Sequence, residues 1–290
     1  MQTWRDIRGR LPVVDGSVVT PSGYDERHAG LIPTSLVVGR APTDISYDLL
    51  DCPGVLGALV KVGRGSLDVL EFSNSWGTLD NEPTEAARRH RGVGADWIAS
   101  HAQTIERALT AQDLLRRDDT EAIRRMVDGL AQRSVVHGGR SSVPFFGFAT
   151  PEAFQMYVSP SGDASDREVI EHVISTTFDA NLAGAQISSR FDSGEFKQVL
   201  VFSRPVVAVY WMAAAALSNG LVRHCEYCGA PFVVEEPRQR YCPPIAPWRA
   251  ASACSANMRK RRQRATPARP KRGSKALKKA AHADKRKRTT

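Results

Sequence analysis

The 290-residue sequence has no apolar run long enough to cross a bilayer. Its longest, Val206 to Leu217, is 12 residues, against the roughly 18 to 20 a spanning helix needs. No membrane association is expected. The start, Met-Gln-Thr-Trp-Arg-Asp-Ile-Arg, lacks the apolar stretch and small-residue cleavage site of a secretory signal, so the expected compartment is cytoplasmic. Aromatics are sparse at 7%, and acids nearly vanish at the end of the chain: from Arg259 to Thr290 one acid, Asp284, stands against 15 Lys and Arg, a balance of +14. The first 258 residues carry 25 basic against 30 acidic groups, or −5, so the net +9 belongs to the C-terminus. Catalytic signatures are missing too. The sequence has no Gly-x-Gly-x-x-Gly, no phosphate-binding Gly-x-x-x-x-Gly-Lys, no His-Glu-x-x-His and no Gly-x-Ser-x-Gly. The chain is therefore not expected to be an enzyme, unless an active site is assembled from scattered residues.

What is there reads as an α+β protein. Hydrophobic residues at 42% and charged residues at 24% suit a globular chain. Residues 1–220 are expected to form a helix-rich mixed domain. Strands are predicted at Ser35 to Val38 and, from the β-branched run Ala-Leu-Val-Lys-Val, at Ala58 to Val62. A short helix capped by Ser66 should follow, with Leu67, Val69, Leu70 and Phe72 as its apolar face, closing at Trp76 and Gly77. Trp97, Ile98, His101, Ile105, Ala108, Leu109, Gln112 and Leu115 recur at three and four, the period of a buried helix face. A second helix carries Ile123, Met126, Val127 and Leu130 behind a Thr120 cap. A third, from about Asp166, carries Val169, Ile170, Val173, Ile174, Phe178 and Leu182 and stops at Gly184. Val-Pro-Phe-Phe-Gly-Phe and Phe-Lys-Gln-Val-Leu-Val-Phe read as strands. Pro205 to Leu217, with proline first and Asn219-Gly220 after it, reads as a helix buried on nearly all sides. His101 reads as a packed histidine, His137 to Ser141 and Ser159 to Asp163 as turns, and Glu82, Glu85, Arg88, Arg89 and His90 as solvated surface.

Four of the five cysteines fall within thirty residues, which in a reducing compartment points to metal before disulfide. Cys225 and Cys228 are two residues apart with Gly229 next, so two thiolates can face one ion while the backbone turns back. Cys242 follows after thirteen residues and Cys254 after eleven more. Together they fill the four positions of structural zinc and leave none open for catalysis. The alternative is four reduced cysteines in a small subdomain, which has few large apolar residues to fold without such a staple. His224 abuts Cys225 and should point away, and Cys52 stands alone as a small packed residue.

The stretch His-Cys-Glu-Tyr-Cys-Gly-Ala-Pro-Phe, the Arg-Gln-Arg-Tyr-Cys, and the final Ala-Cys-Ser-Ala-Asn-Met-Arg-Lys-Arg-Arg-Gln-Arg resemble the C-terminal zinc finger of bacterial CGNR-type proteins and related actinobacterial proteins. The likeness covers about residues 205–264, with a fainter echo in Leu67 to Leu79. Two departures stand out. The third and fourth cysteines are usually only a few residues apart, and here eleven residues intervene; the motif's asparagine is followed by Met258 in place of arginine. The resemblance implies a zinc-binding regulator of transcription that binds nucleic acid, and it alone ranks duplex DNA ahead of RNA.

The residues after Cys254 can continue as a helix on which Arg259, Lys260, Arg261, Arg262 and Arg264 crowd together. Like charges at spacings of three and four repel, and a polyanion relieves them, so nucleic-acid phosphate is the partner inferred. Lys271 and Arg272, in a Pro-Lys-Arg-Gly similar to an AT-hook that lacks the Arg-Gly-Arg-Pro core, extend that contact. The expected organisation is thus 1–220, a zinc module at 221–264, and a disordered basic tail at 265–290. Residues 1–220 are left to sense a small molecule or to contact a protein. The competing reading is a protein-interaction scaffold in which the zinc module is purely structural.

Overall fold

The computed structural model describes residues 13–15, 17–28, 35–77, 79, 93–136, 146, 164–192, 194–244 and 251–265. Their class is α+β, with helices predominating. The element order is β1 (Val13–Asp15), β2 (Ser17–His28), β3 (Ser35–Asp48), α1 (Gly54–Gly63), α2 (Val69–Trp76), β4 (Val93–Gly94), α3 (Ala95–Arg117), α4 (Thr120–Val136), α5 (Asp166–Leu182), β5 (Ala185–Asp192), β6 (Glu195–Phe202), α6 (Pro205–Ser218), β7 (Val222–His224), β8 (Pro231–Val233) and α7 (Ala253–Ala265). The strands form three small sheets, ordered β1-β6-β5, β2-β3-β4 and β7-β8. β1 runs parallel to β6, and the other pairs are antiparallel.

The periodic helices form where the sequence places them. On α3, Ile98, His101, Ile105, Ala108, Leu109 and Leu115 are buried; on α5, Val169, Ile170, Val173 and Phe178 are. Ser165 and Glu168 close a reciprocal capping box at the start of α5, satisfying two backbone N–H groups that the first turn leaves unpaired. α6 begins on Pro205 and buries Val206 through Tyr210, Met212, Ala213, Ala216 and Leu217.

Three expectations are corrected. Ala58 to Val62 is not a strand: it belongs to α1, whose Gly54 to Val60 and Val62 are buried. A helix buried all round has no polar face, so its periodicity disappears and a short valine-rich run mimics a strand. The helix form is required by close packing. A Cβ on Gly63 would stand 2.5 Å from the carbonyl oxygen of Ala102 on α3, so α1 and α3 approach at a point where only glycine fits. Ser66 does not cap α2. Its hydroxyl donates to the Lys61 carbonyl at 3.1 Å, finishing α1, while Asp68 Oδ1 accepts from Leu70 N at 2.7 Å. Asp119, not Thr120, caps α4, its Oδ1 accepting from Ala122 N at 3.1 Å. In both cases a neighbouring carboxylate supplies the cap in place of the hydroxyl.

β2 and β5 were not expected. Of Val-Pro-Phe-Phe-Gly-Phe only Phe146, which is buried, is among the described residues. The segments His137 to Ser141, Ser159 to Asp163 and Glu82 to His90 lie outside them, as does 266–290. Among the described residues no helix is long and apolar enough to cross a membrane.

Candidate metal centre and its helix

The centre is built on the β7-β8 hairpin, in which Val222, Arg223 and His224 pair with Val233, Phe232 and Pro231. Phe232, Val233 and Val234 are buried and hold the hairpin against the body of the protein. At its tip Cys225 N donates to the Ala230 carbonyl at 3.0 Å and Gly229 N to the Cys225 carbonyl at 2.9 Å. Gly229 has φ +68, the left-handed conformation that lets the chain turn straight after Cys228.

The loop after β8 returns to this tip through its own hydrogen bonds. Arg223 Nη1 donates to the carbonyls of Pro237 (3.1 Å) and Gln239 (3.2 Å), and Glu226 N donates to that of Arg240 (3.0 Å). Cys242 is thereby delivered beside Cys228, their sulfurs 3.4 Å apart. Cys254 sits in the first turn of α7, with its sulfur 3.8 Å from that of Cys228. All four sulfurs, those of Cys225, Cys228, Cys242 and Cys254, lie within 4.8 Å of one another. Metal–sulfur bonds of about 2.3 Å in a tetrahedron set sulfurs about 3.8 Å apart, so the four thiols are positioned to bind one ion. Cys225, Cys242 and Cys254 are buried and Cys228 is exposed. The long Cys242 to Cys254 connection does not remove Cys242 from the group.

The four thiols are not equivalent. Burial would raise the Cys225 thiol, but backbone N–H groups of Cys228, Cys242 and Tyr227 reach its sulfur and bring it down to about 7. Burial drives the Cys242 thiol strongly upward and that of Cys254 up to about 11, against the opposing pull of Lys61 on both. A metal ion bound by the four would replace those protons, because the thiolate is the ligand.

One stripe of α1, at positions 54, 57 and 61, faces this centre, and Arg64 continues it just past the end of the helix. A Cβ on Gly54 would meet the Pro244 carbonyl at 3.1 Å, and one on Gly57 would meet Pro243 at 3.4 Å. Lys61 acts electrostatically on Cys242 and Cys254, and Arg64 Nη1 donates to the Gly229 carbonyl at 3.0 Å. None of the four was singled out from sequence. Their helical spacing was available, but their partners lie more than 160 residues away along the chain.

His224 points away from the sulfurs: its Nδ1 is 3.4 Å from Asp113 Oδ1 and 3.5 Å from Arg117 Nη2, both on α3. Burial first, then Arg117 and Arg64, lower its pKa. Cys52 lies half-buried before α1, outside the group of four. His101 is a packed histidine, its Nδ1 3.0 Å from the Tyr210 hydroxyl and its ring edge-on to Trp97.

α7 carries Arg259, Lys260, Arg261, Arg262 and Arg264, all exposed, and contains no acid. Tyr241, next to Cys242, accepts a hydrogen bond from Arg262 Nη2 at 3.4 Å and ties the third turn of the helix to the centre. Lys271 and Arg272 lie outside the described residues. Comparison with known proteins finds no matching family model, and no curated protein or solved structure is significantly similar to the chain.

Proposed function

We propose that the chain is a zinc-stabilised nucleic-acid-binding protein that acts as a DNA-binding regulator of transcription. One observation carries the reading. The fourth cysteine of the metal-binding group lies in the first turn of the helix whose exposed surface is basic and free of acids. A metal held there fixes the start of α7 and so aims its cations, which a polyanion neutralises. Zinc is the proposed ion because four thiolates in a tetrahedron are its preferred structural set. Those four ligands leave no open position, so the centre's proposed role is to organise binding and not to catalyse. The resemblance of residues 205–264 to CGNR-type zinc fingers supports duplex DNA and regulation in particular. The test is duplex binding by fluorescence anisotropy with the zinc-loaded chain and after zinc removal. The reading expects one zinc per chain and a fall in affinity on removal; equal affinity in the two states would overturn it.

A second reading, a protein-interaction scaffold with a purely structural metal centre, is favoured by the β5-β6 hairpin. Ile187, Phe191 and Phe196 there are 73%, 78% and 61% exposed, and Phe191 and Phe196 face each other across the pair. Clustered exposed apolar side chains of this kind mark protein contacts. Under this reading the chain would show no more affinity for nucleic acid than any +14 peptide does.

A further inference from the structure

Tyr227 stands at the tip of the metal knuckle, between the residues that hold the first two sulfurs. Glu226, Tyr227, Cys228 and Gly229 are all exposed, Tyr227 to 44%. The hairpin turn does not need this ring. The turn closes through the backbone bonds of Cys225, Gly229 and Ala230, and the two thiols face inward on the metal side. The ring is therefore free to offer its face to a flat ligand.

The fold supplies what surrounds it. On one flank Arg64, 165 residues away in sequence, reaches Gly229 and holds its carbonyl at 3.0 Å. On the other, Arg240 Nη1 lies 3.6 Å from Glu226 Oε1, and Glu226 N is bonded to the Arg240 carbonyl. Beyond Arg240, Tyr241 leads to Arg262 on α7. The turn that carries Tyr227 is thus held by one guanidinium two residues after the ring and by another on the residue before it, where Arg240 pairs with the Glu226 carboxylate. The sequence conceals this, because no aromatic residue follows Trp248 among the C-terminal cations.

A ring flanked by cations is the arrangement that receives an unpaired base: the base stacks on the ring, and the guanidinium groups meet the phosphates on either side. A base within a duplex has both faces covered and cannot stack in this way. We propose that Tyr227, on a turn to which Arg64 and Arg240 are bound through its neighbours Gly229 and Glu226, takes an unpaired nucleobase of the bound nucleic acid. The proposal rests on the nucleic-acid reading above and adds a single-stranded element to its target.

The test uses the full 290-residue chain, its Tyr227→Ala and Tyr227→Phe variants, and three labelled probes of about 20 nucleotides: single-stranded DNA, single-stranded RNA, and duplex DNA. Anisotropy is read at one ionic strength, with bound zinc measured alongside to show that each variant keeps its centre. Stacking of one base is worth about 1–3 kcal/mol, so Tyr227→Ala should weaken single-strand binding by about 5- to 100-fold and duplex binding by less than about twofold. Tyr227→Phe should bind as the parent does, because the ring is kept. The DNA and RNA arms identify which single strand is preferred. Single-strand binding unchanged in Tyr227→Ala, or an equal loss on duplex and single strand, would overturn the proposal while leaving the nucleic-acid reading intact. If the parent chain bound none of the three probes, that reading would fall first, and the proposal with it.

Discussion

Around α6, Val206 to Tyr210, Met212 and Ala213 are buried side by side, and they meet Ile98, Ile105 and Leu109 of α3 and Leu56 and Leu59 of α1 in one core. Beyond Gly220 the same core thins. Among the described residues its buried apolar members there are Leu221, Ala230, Phe232, Val233 and Val234, with prolines 231 and 243 and three cysteines. Each fully buried large side chain contributes roughly 1.5–3 kcal/mol, so the helical body can stand on packing, and the C-terminal module is the part that an ion held by the four cysteines would stabilise most. The two regions meet along the 54, 57 and 61 stripe of α1 and Arg64 beyond it, where prolines rest on glycines, Arg64 bonds the cysteine turn and Lys61 acts on Cys242 and Cys254.

That contrast can be broken at either end, and metal removal should have the largest effect. Structural zinc in small modules is worth on the order of 10 kcal/mol. Cys242→Ser, or a strong chelator, should abolish metal binding and unfold the module, and should lower the melting midpoint of the body by uncovering α1 without unfolding it. Near-ultraviolet circular dichroism together with metal analysis would check this. Metal retained at full stoichiometry in Cys242→Ser would remove that cysteine from the ligand set.

The body should respond to acid through His101, which burial, aided by Arg204, holds down at about 3 from an ordinary 6.5. Below pH 6.5 the unfolded chain takes up a proton that the folded chain refuses. The contribution is therefore complete above pH 6.5 and is lost progressively as pH falls toward 3. Melting midpoints measured from pH 7 to 4 should fall less steeply in His101→Asn than in the parent, and parallel curves would show that His101 is not the group responsible. Gly63→Ala sharpens the packing side. With Ala102's carbonyl in its way, the added methyl should cost about 1–3 kcal/mol in urea unfolding, and a variant as stable as the parent would mean α1 can slide. The smallest effect belongs to the stripe itself. Lys61→Gln should weaken zinc binding about 10-fold in a chelator competition, as loss of supporting groups around a metal does, and Lys61→Arg should restore it.

How much of this was legible in sequence follows the same division. α3, α5 and α6 could be read because one face, or a proline and glycine bracket, leaves a periodic or punctuated trace. α1 could not, because burial on all sides erased its pattern. The four cysteines were readable from spacing alone, since a tetrahedral ion imposes a local arithmetic. The caps were misassigned by one or two residues because Asp68 and Asp119 supply the capping carboxylates beside the available hydroxyls. Lys61, Arg64, Gly54 and Gly57 were invisible as partners of the centre, because their meaning comes only from a tertiary contact. β5 was missed for a local reason: Ile187-Ser188-Ser189 gives its exposed alternation too little apolar contrast to register.

The central claim is that a metal-organised α7 meets nucleic-acid phosphate. It is tested most directly by the salt dependence of duplex-DNA binding, measured for the zinc-loaded chain and for a variant with Arg259, Lys260, Arg261, Arg262 and Arg264 all changed to Gln and the tail left intact. The account predicts a log–log slope in the variant shallower by about 0.9 for each phosphate that α7 no longer neutralises. Superimposable slopes would contradict it, because they would assign all of the binding to the tail and leave α7 without a role in it.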